Sequence, residues 1–179
     1  MINYTLAFAC SKDGFIAKHS KDNPFEWTSQ DDQNHLKDLI NKHEWQVMGR
    51  STHELNPNTT RKRIVFSRKF KEITQIDDQV KNQFYFNPDI NQWYEFEKLC
   101  NNSALILGGT KVHDFFLYAE LVDKIFITVE PLIFEKGVPA FSYINFYDLI
   151  PFLKERGFGY SENILNTKGT KLMIFNKIN

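Results

Sequence analysis

Two adjacent glycines, with guanidinium and hydroxyl groups at two other points of the chain, are the residues best suited to chemistry. Leu105 to Thr110 reads LILGGT and runs directly into KVHDFF. The first part is an apolar strand. Val112, Phe115, Phe116 and Ala119 then fall at the spacing that gives a helix one buried face. Gly108 and Gly109 carry no Cβ, so main chain there can come close to a ligand. The free N–H groups at the helix start, with the positive end of its dipole, address the same point and form a phosphate site from main chain alone. A second apolar strand ends in MGRST, which supplies Gly49, Arg50, Ser51 and Thr52. A third ends in FSRK, which supplies Ser67 and Arg68. Taken singly, these two motifs are an ordinary turn and a solvated strand end. Ligands of open α/β sheets bind beyond the carboxyl ends of the strands, so the three together point to a phosphorylated cofactor.

The arrangement is not that of a Rossmann unit. No G-x-G-x-x-G follows the first strand, and no acid is placed for a ribose diol. Arg50 and Arg68 instead stand where an adenosine 2′-phosphate could be held, because a guanidinium binds phosphate bidentately and keeps its charge. The expected cofactor is therefore NADPH rather than NADH.

These residues need strands and helices in alternation to bring them to one rim. Residues 2–10 alternate, with Ile2, Tyr4, Leu6, Phe8 and Cys10 on one face and Asn3, Thr5, Ala7 and Ala9 on the other. Two small alanines on one face suit either a ligand floor or close helix packing. Asp13-Gly14 signals a turn, and a polar loop continues to Glu26. Ser29 to His43 reads as a helix, Trp45 to Gly49 and Lys62 to Ser67 as strands, and Gln83 to Phe86 as a weaker strand. Trp93 to Cys100 reads as a helix, Ser103 to Leu107 as a strand, and Leu121 to Glu130 as a long strand stopped by Pro131. Asp148 to Arg156 is a short helix, and Tyr160 to Leu165 with Lys171 to Ile178 form a closing antiparallel hairpin. The pattern predicts an α/β sandwich with a mostly parallel, mixed sheet. With no repeat, low-complexity tract or linker, residues 1–179 are expected to form a single domain.

Composition narrows the function classes. The 22 basic and 22 acidic residues cancel, which argues against a general nucleic-acid binder. Seventeen Phe, seven Tyr and three Trp predict a core built largely of rings. Cys10 and Cys100 are far apart and read as buried free thiols in a reducing compartment. No apolar run nears the roughly 18 residues of a membrane span, and the start lacks the features of a signal peptide. A cytoplasmic location without membrane attachment follows as the expectation.

At this level the chain resembles the dihydrofolate reductase-like superfamily, most closely the reductase domain of the riboflavin-pathway deaminase/reductase. The likeness spans nearly the whole chain. It rests on SKDGFIA, on MGRST, and on LGGTKVHDFFLYAELVDKIFITVEPLIFEKGVPAF. Val112 at the helix start, Lys124 in place of an acid, and Glu135-Lys136 in place of a leading glycine depart from the family pattern. The resemblance implies a three-layer sandwich and an NADPH-dependent oxidoreductase. Leu107 and Gly108 to Val112 (with Thr110 and Lys111) would bind the pyrophosphate, and a cis peptide would join Gly108 to Gly109. Gly49, Arg50, Ser51, Thr52, Ser67 and Arg68 would hold the adenosine phosphates. Ala7 and Ile16 would line the nicotinamide, and the loop from Ser11 to Trp27 would act as a lid.

On the substrate side the resemblance singles out Trp27, Thr28, Asp31, Asp32 and His35. In dihydrofolate reductase a carboxylate at this place binds the pterin and assists protonation. Asp32, five residues after Trp27, has the matching spacing. Ser29-x-x-Asp32 reads equally as a helix capping box. The Leu-Pro expected between the tryptophan and the acid of a true dihydrofolate reductase is missing, and WTSQDDQNH is closer to the riboflavin-type segment. His35, Lys37 and the Arg61-Lys62-Arg63 run are cations that a phosphoribosyl substrate could use. All but His35 are expected to be solvated surface. No metal-ligand spacing is present, so no metal is expected. The substrate would be a phosphoribosylaminopyrimidine, with dihydrofolate reduction or nucleotide binding without catalysis as rivals. The aromatic segment from Phe141 to Phe152 suits either core or a homodimer interface.

Overall fold

The computed structural model describes residues 2–178. Eleven strands and five α-helices follow in the order β1 (Asn3–Cys10), β2 (Phe15–Ala17), α1 (Gln30–Lys42), β3 (Trp45–Gly49), α2 (Arg50–Leu55), β4 (Lys62–Phe66), β5 (Thr74–Asp77), β6 (Val80–Phe86), α3 (Trp93–Leu99), β7 (Ser103–Gly108), α4 (Thr110–Tyr118), β8 (Lys124–Val129), β9 (Val138–Pro139), α5 (Leu149–Glu155), β10 (Phe158–Ile164) and β11 (Lys171–Lys177). The main sheet has nine strands in the order β10-β11-β8-β1-β7-β3-β4-β6-β5. From β8 to β6 every pairing is parallel. The closing hairpin joins β8 antiparallel at one edge, and β5 joins β6 antiparallel at the other. The α/β sandwich with a mixed, mostly parallel sheet is thus the one the alternation predicts. β2 and β9 form a small separate ladder beside it.

The two faces of β1 divide as the alternation requires. Tyr4, Leu6 and Cys10 enter a large core with α3, α4 and α5, while Ala7 packs with Leu105 of β7 and Leu39 of α1 on the other face. The large core is ring packing: Trp93 stacks on Phe96 at 4.2 Å, and Phe66, Phe86 and Phe116 surround them. Such contacts add about 0.5–1.5 kcal/mol per pair beyond area burial. Both cysteines are free and buried in this core.

Three local expectations change. β8 begins at Lys124 rather than Leu121, because the Asp123 carboxylate accepts the Tyr4 N–H at 2.8 Å and Val122 is buried in the core. α2 follows Gly49 directly, six residues too short to show an amphipathic period. β5 is an exposed edge strand, TQID, whose polar side chains give no strand signal.

Candidate active site

A cleft of about 1190 Å³ crosses the carboxyl ends of β1, β7, β3 and β4 and continues under α1. Ala7 and Ala9 of β1 and Leu107 of β7 line it, with Ile16 of β2 facing them. Small side chains on this face of β1 leave the room that a larger residue would fill. Thr128 on β8 and Ser67 just after β4 both line the cleft with three strands between them. At ordinary strand spacing that is roughly 19 Å.

The glycine pair sits where β7 gives way to α4. Gly108 has φ +97°, and its peptide to Gly109 is cis. A Cβ on Gly108 would meet the His113 ring at 2.7 Å. A Cβ on Gly109 would meet only Ile16, at 3.9 Å, so the space beside Gly109 is open. Gly109 caps α4 without a side-chain bond. Val112 and His113 N–H close on its carbonyl at 2.9 and 3.1 Å. Among the described residues the Thr110 and Lys111 amides have no such partner. They are the donors that a diphosphate would take. The Thr110 hydroxyl and Lys111 ammonium are turned to Pro139 and Ser142.

The second and third strand ends meet the same rim. Gly49 caps α2, and a Cβ there would lie 3.6 Å from Val112, so the starts of α2 and α4 adjoin. Arg50 pairs with Glu54 at 3.5 Å, and Arg68 pairs with Asp89. Both guanidinium groups are largely in solvent and line the cleft, as do Ser51, Thr52 and Ser67.

On the opposite side stands Asp32, only 7% exposed. Burial pushes its carboxyl up to about 6, helped by the nearby Glu130 and opposed by hydrogen bonds with Thr128 and Thr28. Thr28, Thr128 and His35 line the cleft beside it. The His35 ring lies edge-on to Phe126 at 5.1 Å, and burial lowers its proton affinity. The expected capping role of Asp32 is half realised. Its N–H donates to Ser29 Oγ at 3.3 Å, but the reciprocal bond to the Ser29 N–H is made by Glu130 Oε1 at 2.7 Å.

Two of the five substrate-side candidates do not line the cleft. Trp27 packs edge-on against Phe134 at 5.1 Å, away from the opening. Asp31 is exposed and accepts from Asn166 Nδ2 at 3.0 Å, tying α1 to the turn of the last hairpin. One helical position separates Asp31 from Asp32, and about 100° of rotation sends them to different neighbours. The segment after β2 contributes His19, Asp22, Pro24 and Phe25 to the cleft wall.

Arg63 corrects the expectation of solvated surface. It is 6% exposed and lines the cleft. Its guanidinium donates to Asn56 O at 2.7 Å and to Gln46 Oε1 at 3.4 Å, and it contacts His53 Nδ1 at 3.2 Å. Among the described residues no carboxylate pairs with it. Its neighbours in the run behave differently: Lys62 pairs with Glu44, and Arg61 donates to Asn41. Thr128 and Glu130 are residues that sequence reasoning passed over, and Arg63 is one that it named but assigned to solvated surface. The signal for the first two was present, as a threonine and a glutamate two apart at the end of an apolar strand. The signal for Arg63 was its place inside KRIVF on the face that also carries Gln46 and Gln83.

No protein-family model matches the chain. The uncharacterized protein YyaP of Bacillus subtilis is 25% identical over 150 residues, 76% of this chain and 78% of that protein. Solved structures match over almost all of it. A protein assigned to riboflavin biosynthesis from Shewanella sp. PV-4 superposes with a TM-score of 0.63 and 19% identity, covering 99% of both chains. Dihydrofolate reductase from Enterococcus faecalis, complexed with NADP(H) and RAB-propyl, gives 0.64 and 17%, covering 99% of this chain and 97% of that one. The Thermotoga maritima diaminohydroxyphosphoribosylaminopyrimidine deaminase/5-amino-6-(5-phosphoribosylamino)uracil reductase gives 0.68 and 20%, covering 98% of this chain and 56% of that one. The fold is dihydrofolate reductase-like.

Proposed function

We propose that the protein is an NADPH-dependent reductase acting on a pyrimidine- or pterin-like substrate, of the 5-amino-6-(5-phosphoribosylamino)uracil reductase type. One observation carries this reading. A single cleft joins an anion cradle on three strand ends to a buried carboxyl whose proton affinity burial raises to about 6. In this reading the amides from Gly109 to Lys111 take the pyrophosphate, and Arg50, Ser51, Thr52, Ser67 and Arg68 take the adenosine phosphates. Ala7, Ile16 and Leu107 border the nicotinamide. NADPH, when bound, supplies a hydride for a carbonyl or imine carbon. Asp32 orients the substrate ring and delivers the proton that balances the transfer, and a group titrating near 6 suits that task at neutral pH. Thr128 holds the carboxyl in place. Arg63, a buried cation with no acid beside it, favours a substrate carrying an anionic group such as a ribosyl phosphate.

The Asp32–Thr128 pair also supports a second reading, reduction of dihydrofolate, which methotrexate-sensitive consumption of that substrate would favour. A homodimer in a reducing cytoplasm belongs to the primary reading. Phe141 and Leu149 are core, but Tyr143 and Tyr147 of the same segment are exposed and available to a second copy; light scattering measures that pairing. Calorimetric titration with NADPH, followed by a substrate panel read by NADPH oxidation, tests the activity. Asp32→Asn should lower turnover at least about 100-fold and change NADPH affinity less than about twofold. No heat at millimolar NADPH would sink the reading. Binding without turnover, unaffected by Asp32→Asn, would leave a nucleotide-binding protein.

A further inference from the structure

The start of α1 has one main-chain donor and two acids that could take it. In a capping box the acid three residues after the cap reaches back to the cap's own N–H. Ser29 is the cap and Asp32 is that third residue. The Ser29 N–H goes instead to Glu130 Oε1, from the strand end of β8, at 2.7 Å. The other oxygen, Glu130 Oε2, accepts the Thr170 hydroxyl at 2.7 Å. Thr170 is 1% exposed and closes the turn of the last hairpin. Glu130 is 3% exposed, and among the described residues no lysine, arginine or histidine pairs with it. Its main chain is also fixed, since its N–H donates to Cys10 O at 2.9 Å. Two separate segments therefore converge on one buried carboxylate that the cleft chemistry does not use, and a third, β1, holds its main chain.

We propose that Glu130 is a positioning residue that replaces Asp32 in the capping of α1 and so leaves the Asp32 carboxyl to face Thr128 and the cleft. This rests on the reading of Asp32 as the acid of the site. With the Ser29 amide satisfied from β8, the capping-box donor to which the Asp32 side chain would turn back is taken. It is left among Thr28, Thr128 and apolar wall, where its proton is hard to remove. The other titratable groups around the junction are Cys10 on β1, Asp13 in the loop after it, and Asp31 and His35 on α1. Asp31 is engaged by Asn166, and the Cys10 thiol is pushed up by burial first and then by Asp13, Asp32 and Glu130. Glu130 is the charged group that acts on Asp32 directly.

The test is a carboxyl-carbon NMR titration of Asp32 in the ligand-free protein, so it does not depend on the protein being a reductase. Glu130→Met removes both acceptors at equal length, and Asp32 should swing back to the Ser29 N–H. Its midpoint should fall from about 6 to below about 5, toward the ordinary carboxylate range. Exchange of the Ser29 amide should stay within about tenfold of the native rate, because Asp32 now protects it. Glu130→Gln keeps an acceptor for Ser29 and should hold Asp32 above about 5. An unmoved midpoint in Glu130→Met, or equal shifts in the two variants, overturns the proposal. Should Glu130→Met not fold, the native protein decides alone. A through-hydrogen-bond coupling from the Ser29 amide must reach the Glu130 carboxyl carbon, and a coupling to Asp32 instead overturns the assignment.

Discussion

The two glycines at the junction of β7 and α4 are alike in sequence and different in their surroundings. Gly108 adopts φ +97°, and its missing Cβ leaves room for the His113 ring. That ring cannot retreat. It is fully buried, packs on Phe8 at 4.8 Å, and its Nδ1 is engaged by Ala140 O at 3.0 Å. Gly109 has an ordinary φ and open space where a side chain would begin. Gly108→Ala should therefore cost at least about 2 kcal/mol in urea unfolding, from backbone strain and overpacking. Gly109→Ala should leave stability within about 1 kcal/mol and weaken NADPH at least about tenfold, since its Cβ occupies the path of the phosphates. The reverse pattern would exchange the two assignments. The LILGGT motif made both residues legible as a close-approach site, but their division of labour depends on His113, which the pattern KVHDFF left unremarked.

At the scale of elements, α2 and the end of β4 bring Arg50 and Arg68 to the cleft, each already paired with an acid. Glu54 is one helical turn from Arg50, and both side chains of that pair are about half exposed or more, at 48% and 64%. Exposed pairs of this kind are worth at most about 1 kcal/mol, so a phosphate dianion can displace the carboxylates. Arg50→Ala and Arg68→Ala should each weaken NADPH about 5- to 20-fold more than NADH, and the gap should narrow as salt is raised. Asp89→Asn, by releasing Arg68, should tighten NADPH a few-fold. Calorimetry against both cofactors at two salt concentrations measures this, and equal losses for NADPH and NADH would contradict the 2′-phosphate assignment. Both arginines were legible because each directly follows a strand end in a short motif. α2 itself was not, since six residues hold less than two turns of periodicity.

Across the whole molecule, two buried groups pull the pH dependence of stability in opposite directions. Asp32 titrates at about 6 instead of 3.8, chiefly through burial. The native state therefore binds more protons than the unfolded chain between those values, and Asp32 stabilises the fold in acid and loses that contribution as pH rises through 6. His113 titrates at about 4 instead of 6.5, again chiefly through burial. The native state binds fewer protons there, so its contribution is present above 6.5 and lost as pH falls toward 4. Each effect is on the order of 2–3 kcal/mol, and they oppose each other between about pH 4 and 6. Asp32→Asn should therefore be more stable than the native protein at pH 8, by on the order of 2 kcal/mol, and should lose stability more steeply in acid. Urea unfolding at pH 8, 6 and 4.5 checks this; a variant curve parallel to the native one would show that Asp32 is not buried as a protonated acid.

The sequence by itself determined most of the strand and helix succession (α2 and β5 excepted), the ring-filled core, the small residues on one face of β1 and the glycine turn at α4. Each of these is written in residues that are neighbours along the chain, where a period of 2 or 3.6 or a missing Cβ has a direct geometric consequence. Only the tertiary structure decided that Asp31 serves the hairpin while Asp32 faces the cleft, that Arg63 is buried while Lys62 and Arg61 reach outward, and that Glu130 takes the cap of α1. Those outcomes rest on contacts across 135 residues from Asp31 to Asn166 and 101 from Ser29 to Glu130. A local pattern shows which donors and acceptors exist, but the packing of distant segments settles which of them reach one another first.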